Sequence, residues 1–167
     1  MSGSRITDVE QSAFADKGAD AERLGMKSVM QLKSCVSTIK IFEPETQLGY
    51  GRTFCAPRRS RIGVLPIGYA DGLFRGLSNR MSVQTDFGPA KVRGRICMDM
   101  CMIDLTDLPE VREGDEVEVY GIHNSVADAA KIAGTVAYEL LCTVSRRVPR
   151  VYYRDGKAVF HELLLRG

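Results

Sequence analysis

The sequence has little histidine: among its 167 residues only His123 and His161 carry an imidazole. Histidine is the one side chain whose ordinary titration falls near neutral pH. Acid–base catalysis must therefore depend on Tyr, Lys, Asp, Glu or Cys, or on another chain. The two histidines stand apart in the sequence, and we assign them no chemistry.

The five cysteines, at positions 35, 55, 97, 101 and 142, are odd in number and form no Cys-x-x-Cys pair. This spacing argues against a disulfide framework and against a zinc site, so we expect no metal. Cys97 and Cys101 share one predicted strand, where they would lie about 13 Å apart, too far for a disulfide. Reduced thiols in a cytoplasmic protein are the simplest interpretation.

The sequence also lacks a strong charge and a long apolar run. Lys plus Arg number 23 and Asp plus Glu 21, which leaves a net charge of +2. Such a balance gives no electrostatic signature for nucleic acid or an anionic membrane. No run reaches the ~18–20 apolar residues of a membrane span, and residues 1–5 do not begin a secretory signal. We expect a cytoplasmic protein that binds neither nucleic acid nor membrane.

Patterning divides the chain into a polar tail or linker, residues 1–25, and one domain, residues 26–167. Residues 16–24 could form one short helix within the tail. In the domain, β-branched and apolar residues predict strands over 29–42, 61–67 and 116–120. Pro66 indicates an edge or a bulge in the second of these. Strict alternation predicts one strand over 92–103, with these side chains on its apolar face: Val92, Ile96, Met98, Met100 and Met102.

A hairpin and two short helices complete the predicted elements. Asp155-Gly156 separates two apolar runs, which is typical of a two-residue hairpin turn. Ser125 can cap a helix over 127–133 that stops at Gly134. Apolar residues at helical spacing predict a second helix over 136–144, before Pro149. At least six strands without regular strand–helix alternation predict a mainly β fold, an antiparallel β-barrel-like domain with two short inserted helices.

Three segments rich in Gly, Tyr and Asp are candidates for function: residues 48–54, 66–72 and 94–99. Tyr50 lies between Gly49 and Gly51, whose freedom lets its ring project from a turn. Taken singly, each segment is more typical of a turn that closes a barrel end.

Taken together, these segments, followed by Tyr138-Glu139-Leu140-Leu141-Cys142 and Val148-Pro149-Arg150, resemble the C-terminal domain of alanine racemases over residues 24–153. The resemblance implies a pyridoxal-phosphate enzyme that interconverts L- and D-alanine for bacterial cell-wall (peptidoglycan) synthesis. It also implies an N-terminal (β/α)8 barrel that holds the cofactor on a lysine, and a homodimer in which the β domain reaches the partner's site. Only the β domain is expected here, because the chain is short of the ~250 residues of such a barrel.

The resemblance implies roles for five residues, and two further candidates lie in its motifs. Tyr50 matches the catalytic base, and the main-chain amide of Met98 matches the donor to the substrate carboxylate. Tyr138 matches the residue that donates to the cofactor phosphate, although Ala137 replaces the usual Asn beside it. Met100 likewise replaces a usual Gln. Tyr69 and Arg95 match residues at the substrate entrance. Asp71 and Asp99 lie in the same motifs, and we expect them either to position the site or to serve a turn or the surface.

We therefore expect a racemase domain that supplies a base and a carboxylate contact to another subunit, and that has no activity or bound cofactor alone. One alternative is a free-standing binding or regulatory module that docks on a separate pyridoxal-phosphate barrel. Another is an unrelated structural β-barrel. The racemase hypothesis requires Tyr50, Tyr69 and Met98 to meet at one rim, whereas an unrelated barrel would bury them in separate places.

Overall fold

A computed structural model describes residues 29–162, so the predicted tail and its helix lie outside the described residues. The two helices described are α1 (Val126–Ala133) and α2 (Ala137–Cys142), and a short 3-10 turn covers Arg75–Leu77. The strands are β1 (Leu32–Cys35), β2 (Thr38–Phe42), β3 (Gln47–Leu48), β4 (Phe54–Cys55), β5 (Ser60–Leu65), β6 (Ser82–Thr85), β7 (Gly88–Arg93), β8 (Cys101–Asp104), β9 (Glu116–Tyr120), β10 (Arg150–Arg154) and β11 (Lys157–Glu162).

Seven strands form one antiparallel sheet in the order β1-β9-β6-β7-β8-β5-β2, curled into a half-barrel. β1 and β2 follow each other in the chain yet occupy opposite edges of this order. Between them, the Val36 N–H donates to Asp115 O at 2.9 Å, and the Ser37 N–H donates to Val64 O at 2.8 Å. Adjacent residues thus bond to both sides of the sheet, which requires it to curl. The mainly β, barrel-like prediction is confirmed.

One hydrophobic core joins the strands of the curled sheet to the two helices. It contains strand residues with almost no exposed surface, among them Leu65, Val83, Val92, Ile103 and Val119. Ala129, Ala130 and Leu140 of the two helices join the same cluster. Removing these side chains from water is the main favourable contribution to folding.

The predicted strand over 92–103 is wrong in one respect: it is two strands, β7 and β8, joined by a loop. The strands pair with each other, Val92 opposite Ile103. Gly94, at φ 75°, ends β7 and turns the chain. Met98 and Met100 lie in the loop and are 54% and 47% exposed, not on a buried face. Alternation cannot distinguish one long strand from two strands separated by an irregular segment.

Two further expectations change for related reasons. Cys97 lies in the same loop and not on a strand with Cys101, so the separation expected from strand rise does not apply; both are free thiols. Pro66 indicates neither an edge nor a bulge, because β5 lies between β8 and β2 and ends at Leu65. The predicted run 29–42 likewise divides, at Val36, into β1 and β2.

The local turn and cap predictions are confirmed. The Ser125 hydroxyl accepts a hydrogen bond from the Ala127 N–H at 3.1 Å, and Gly134 ends α1 at φ 78°. Asp155 and Gly156 have φ of 50° and 73°, as a two-residue hairpin turn requires, and β10 pairs with β11 around them.

Candidate active site

Tyr50 lies at the tip of a small hairpin formed by β3 and β4. The two strands pair only at Gln47–Cys55 and Leu48–Phe54, in a sheet separate from the half-barrel. Gly49, Gly51 and Arg52 have positive φ, and the Arg52 N–H donates to Gly49 O at 3.0 Å. This tight bend presents the Tyr50 side chain outward, 73% exposed.

The bend lies directly against the start of the β7–β8 loop. A Cβ placed on Gly49 would lie 3.2 Å from Gly94 Cα and 3.3 Å from Arg95 N. A Cβ on Gly51 would lie 3.5 Å from the Arg95 guanidinium. The two loops approach this closely because glycine occupies both sides of the contact.

The loop carrying Tyr69 packs against the other end of the β7–β8 loop. Tyr69 N–H donates to Cys97 O at 3.0 Å, and Ala70 N–H donates to Met98 O at 2.9 Å. Gly68 leaves no room for a side chain, since a Cβ there would overlap the carbonyl groups of Cys97 and Met98. Tyr69 and Met98 are 45% and 54% exposed. The Met98 N–H itself has no hydrogen-bond acceptor among residues 29–162.

Asp71 joins the Tyr69 loop to the segment that follows α2. One carboxylate oxygen accepts from the Gly68 N–H at 2.8 Å, and the other pairs with Arg147 Nε at 2.6 Å. Ser145 N–H donates to Asp71 O at 3.4 Å. The hydrogen bond to Asp71 raises the pKa of the Arg147 guanidinium, and the more distant charge of Asp99 acts in the same direction. The Asp71 side chain, 14% exposed, is thus held at both oxygens.

Tyr138 forms no hydrogen bond with the three loops within residues 29–162. It is half-buried on α2, and its hydroxyl makes no hydrogen bond within residues 29–162. No hydrogen bond or ring contact of the described residues joins it to Tyr50, Tyr69 or Met98. The connection is indirect, through the chain from α2 to Arg147 and its ion pair with Asp71.

Ser78 and Asn79, which no sequence pattern singled out, support the β7–β8 loop. Ser78 Oγ accepts from the Ile96 N–H at 3.0 Å, and Asn79 Oδ1 accepts from the Gly94 N–H at 2.6 Å. The only signal in the sequence is the Ser-Asn pair itself, which is typical of turns.

The arrangement offers a phenol, a free backbone N–H and polar side chains to a small molecule. Arg95 and Asp99 are both exposed. The Arg95 guanidinium lies against Gly51, the residue after Tyr50, and Asp99 follows Met98 in the β7–β8 loop. A cleft of about 380 Å³ elsewhere on the sheet contains none of these residues; it is lined by Gln31, Lys33, Gln84, Thr85, Asp86, Glu116, Glu118 and His123. Within residues 29–162, no three His, Cys, Asp or Glu side chains are placed to ligate a metal.

Membrane insertion through a helix has no support in the described part of the chain. Neither α1 nor α2 has the length and hydropathy needed to cross a bilayer.

Comparison with known proteins places this chain in a protein family. The family model for the alanine racemase C-terminal domain matches residues 29–152. The chain therefore belongs to the alanine racemase C-terminal domain family.

Several alanine racemases of known sequence or structure are similar to this chain. Alanine racemase 1 of Clostridium acetobutylicum is 46% identical over 150 residues, 87% of this chain and 39% of that protein. The alanine racemase of Clostridium difficile 630 has a TM-score of 0.81 at 36% identity, over 87% of this chain and 38% of that one. The alanine racemase of Bartonella henselae, solved with covalently bound pyridoxal phosphate, has a TM-score of 0.69 at 30% identity, over 72% of this chain and 34% of that one. The chain thus spans between about a third and two fifths of the length of these enzymes, 34–39%.

Proposed function

We propose that residues 26–167 act as the C-terminal domain of an alanine racemase and complete the active site of a partner subunit in a homodimer. One observation carries this proposal: the Tyr50 bend and the Tyr69 loop both lie against the β7–β8 loop that carries Met98. All three side chains are exposed on this joined surface. An unrelated structural barrel gives no reason for such a surface.

Tyr50 is the proposed proton acceptor for one face of the substrate Cα. Racemisation removes a proton from one face and delivers one to the other, so it needs two groups on opposite sides. A phenol is a weak base at neutral pH unless nearby cations stabilise the phenolate. No cation is hydrogen-bonded to the Tyr50 hydroxyl within residues 29–162. The activating group and the second base would therefore come from an N-terminal barrel domain.

Met98 is the proposed contact for the alanine carboxylate. A backbone N–H without an intramolecular acceptor is a fixed donor that loses no side-chain entropy on binding. The bonds of Tyr69 and Ala70 to the carbonyls of Cys97 and Met98 hold that peptide in place. Tyr69 and Arg95 would narrow the entrance to a small amino acid, while Asp71 and Asp99 would position the loops.

Tyr138 is the proposed donor to the phosphate of pyridoxal phosphate. Tyr138 is half-buried, and its hydroxyl, which makes no hydrogen bond within the described residues, is available to such a group. When bound, pyridoxal phosphate withdraws electrons from the substrate Cα and so makes its proton removable. This enzyme would act in the cytoplasm, on L- and D-alanine, for cell-wall synthesis.

The test uses a hybrid that joins this chain to the N-terminal part of the Clostridium difficile racemase. We expect the hybrid to convert L-alanine to D-alanine, and the chain alone with pyridoxal phosphate to form none. Tyr50→Phe should abolish conversion by the hybrid, whereas Tyr153→Phe, a change at a tyrosine of similar exposure on β10, should not.

Two results would contradict the proposal. If the hybrid is active and keeps its rate after Tyr50→Phe, Tyr50 is not the base. If the chain alone forms D-alanine, this chain contains a complete active site. Binding of the unfused chain to a separate barrel, without racemisation, would instead favour the docking module.

A further inference from the structure

Asn79 occupies a position between the two loops that carry Tyr50 and Met98. Its Oδ1 accepts from the Gly94 N–H at 2.6 Å, where the Met98 loop begins. Its Nδ2 donates to Thr53 Oγ1 at 3.5 Å, on the hairpin that carries Tyr50. Because only an oxygen can accept from the Gly94 N–H, this bond fixes the orientation of the amide and directs Nδ2 to Thr53.

The backbone of Asn79 is also specialised. Its φ is 59°, in the left-handed region that asparagine and glycine adopt most readily. This conformation follows the 3-10 turn and lets Ser78 and Asn79 act on the same loop, at Ile96 and Gly94 respectively. The strand β7 ends at Arg93, so strand pairing supplies no acceptors for the N–H groups of Gly94 and Ile96. The side chains of Asn79 and Ser78 supply these acceptors instead.

The Tyr50 hairpin depends on such ties because it is small. Its strands contain two residues each, and a two-stranded sheet is marginal in water by itself. Its other contacts to the half-barrel include the approach of Gly49 to Gly94, the Arg95 guanidinium beside Gly51, and the Arg93 guanidinium, 4.8 Å from the centre of the Phe54 ring. Among these, the Asn79 amide is the group that bonds to both loops at once.

We propose that Asn79 is a positioning residue that sets the Tyr50 phenol relative to the Met98 N–H, an inference that rests on the proposed racemase function. Loss of this bridge leaves each loop intact but lets the hairpin shift against the carboxylate contact. A base displaced by about 1 Å can lose on the order of a hundredfold in rate.

Asn79→Gly is the decisive variant, tested in the hybrid racemase. Glycine keeps the positive φ without strain and removes both hydrogen bonds. We expect kcat to fall about tenfold or more while KM changes less, since displaced reacting groups mainly raise the barrier to the chemical step. With Cα-deuterated alanine, the isotope effect should rise for one enantiomer and not for the other, because Tyr50 takes the proton from only one of them.

Matched variants separate positioning from loss of stability. Asn79→Asp keeps the acceptor for Gly94 and can bond to the Thr53 hydroxyl, so it should restore most of the rate. Thr53→Val removes only the tie to the Tyr50 hairpin and should reproduce the one-sided isotope effect. Ser125→Ala, which deletes the distant helix cap, should lower stability without changing the isotope effect.

The outcomes distinguish this inference from the proposed function. If the unsubstituted hybrid is inactive, the proposed function itself is contradicted. If it is active and Asn79→Gly behaves like Ser125→Ala, or alters both enantiomers equally, the positioning role is overturned. In the chain alone, Asn79→Gly should also speed amide hydrogen exchange at Gly94; unchanged exchange there would overturn the bridge.

Discussion

Gly68→Ala should separate the Tyr69 loop from the Met98 loop. A Cβ at this position would lie 2.5 Å from both the carbonyl carbon and the carbonyl oxygen of Met98, and nearer still to Cys97 O. These are backbone atoms, so no side chain can rotate away. The loops must move apart, and the hydrogen bonds from Tyr69 and Ala70 are then lost.

The expected loss is about 3 kcal/mol in the free energy of unfolding. Two backbone hydrogen bonds contribute about 1 kcal/mol each, and overpacking adds at least about 1 kcal/mol. Urea unfolding followed by circular dichroism measures the total, and amide hydrogen exchange at Tyr69 and Ala70 locates it. The racemase hybrid should also bind alanine more weakly, because the Met98 peptide loses its support.

Gly114→Ala is the control for this prediction. Gly114 has φ 93° and nothing within 4 Å of its Cβ position, so alanine there costs only backbone strain, about 1–2 kcal/mol. Gly68→Ala should therefore be the more destabilising of the two. A Gly68→Ala protein that unfolds at the wild-type urea concentration would refute the close packing of these loops.

Three further outcomes follow from buried groups. Tyr120→Phe should change stability by no more than about 1 kcal/mol in urea unfolding, because the buried hydroxyl forms no well-aligned hydrogen bond in the described residues and interacts only weakly with the Phe74 backbone; a larger loss would contradict this. Burial alone would raise the pKa of Asp104, but hydrogen bonds from Thr106 and Arg93 outweigh it and lower the pKa. The stability that this carboxylate contributes is therefore present above its unfolded pKa of 3.8 and is lost as pH falls through the lower folded value. In Asp104→Asn, the free energy of unfolding should fall less steeply as the pH is lowered through this range. The same pH dependence in variant and wild type would contradict this. Burial raises the pKa of the Cys101 thiol to about 12, so mass spectrometry after alkylation at pH 8 should find it unmodified in folded protein. The exposed thiols of Cys35, Cys55 and Cys142 should be alkylated under the same conditions. Alkylation of Cys101 to the same extent as these three would contradict its burial.

Local elements followed from local patterns. The helix cap at Ser125, the stop at Gly134 and the Asp155-Gly156 hairpin each depend on residues within a few positions, whose side chains and φ preferences act wherever the chain goes. The mainly β class followed from the same kind of information, repeated along the chain.

The candidate site was only partly visible in this way. Tyr50, Tyr69 and Met98 were marked by glycine-flanked turns and by the family resemblance, and the roles assigned to them remain proposals. The β7–β8 loop was hidden because Met98 and Met100 continue the alternation of the strands on either side. Asn79 was hidden because its partners, Gly94 and Thr53, lie 15 and 26 residues away.

The sequence by itself determined the mainly β class, the cap and stop of α1, the hairpin turn and the family of this domain, because those depend on neighbouring residues and recurring motifs. Only the tertiary structure decided that β1 and β2 lie at opposite edges of one curled sheet, that Pro66 follows a strand paired on both sides, and that three loops meet. The physical reason is that close approaches such as Gly49 on Gly94 arise between residues 45 positions apart, and their energy exists only after the chain has folded.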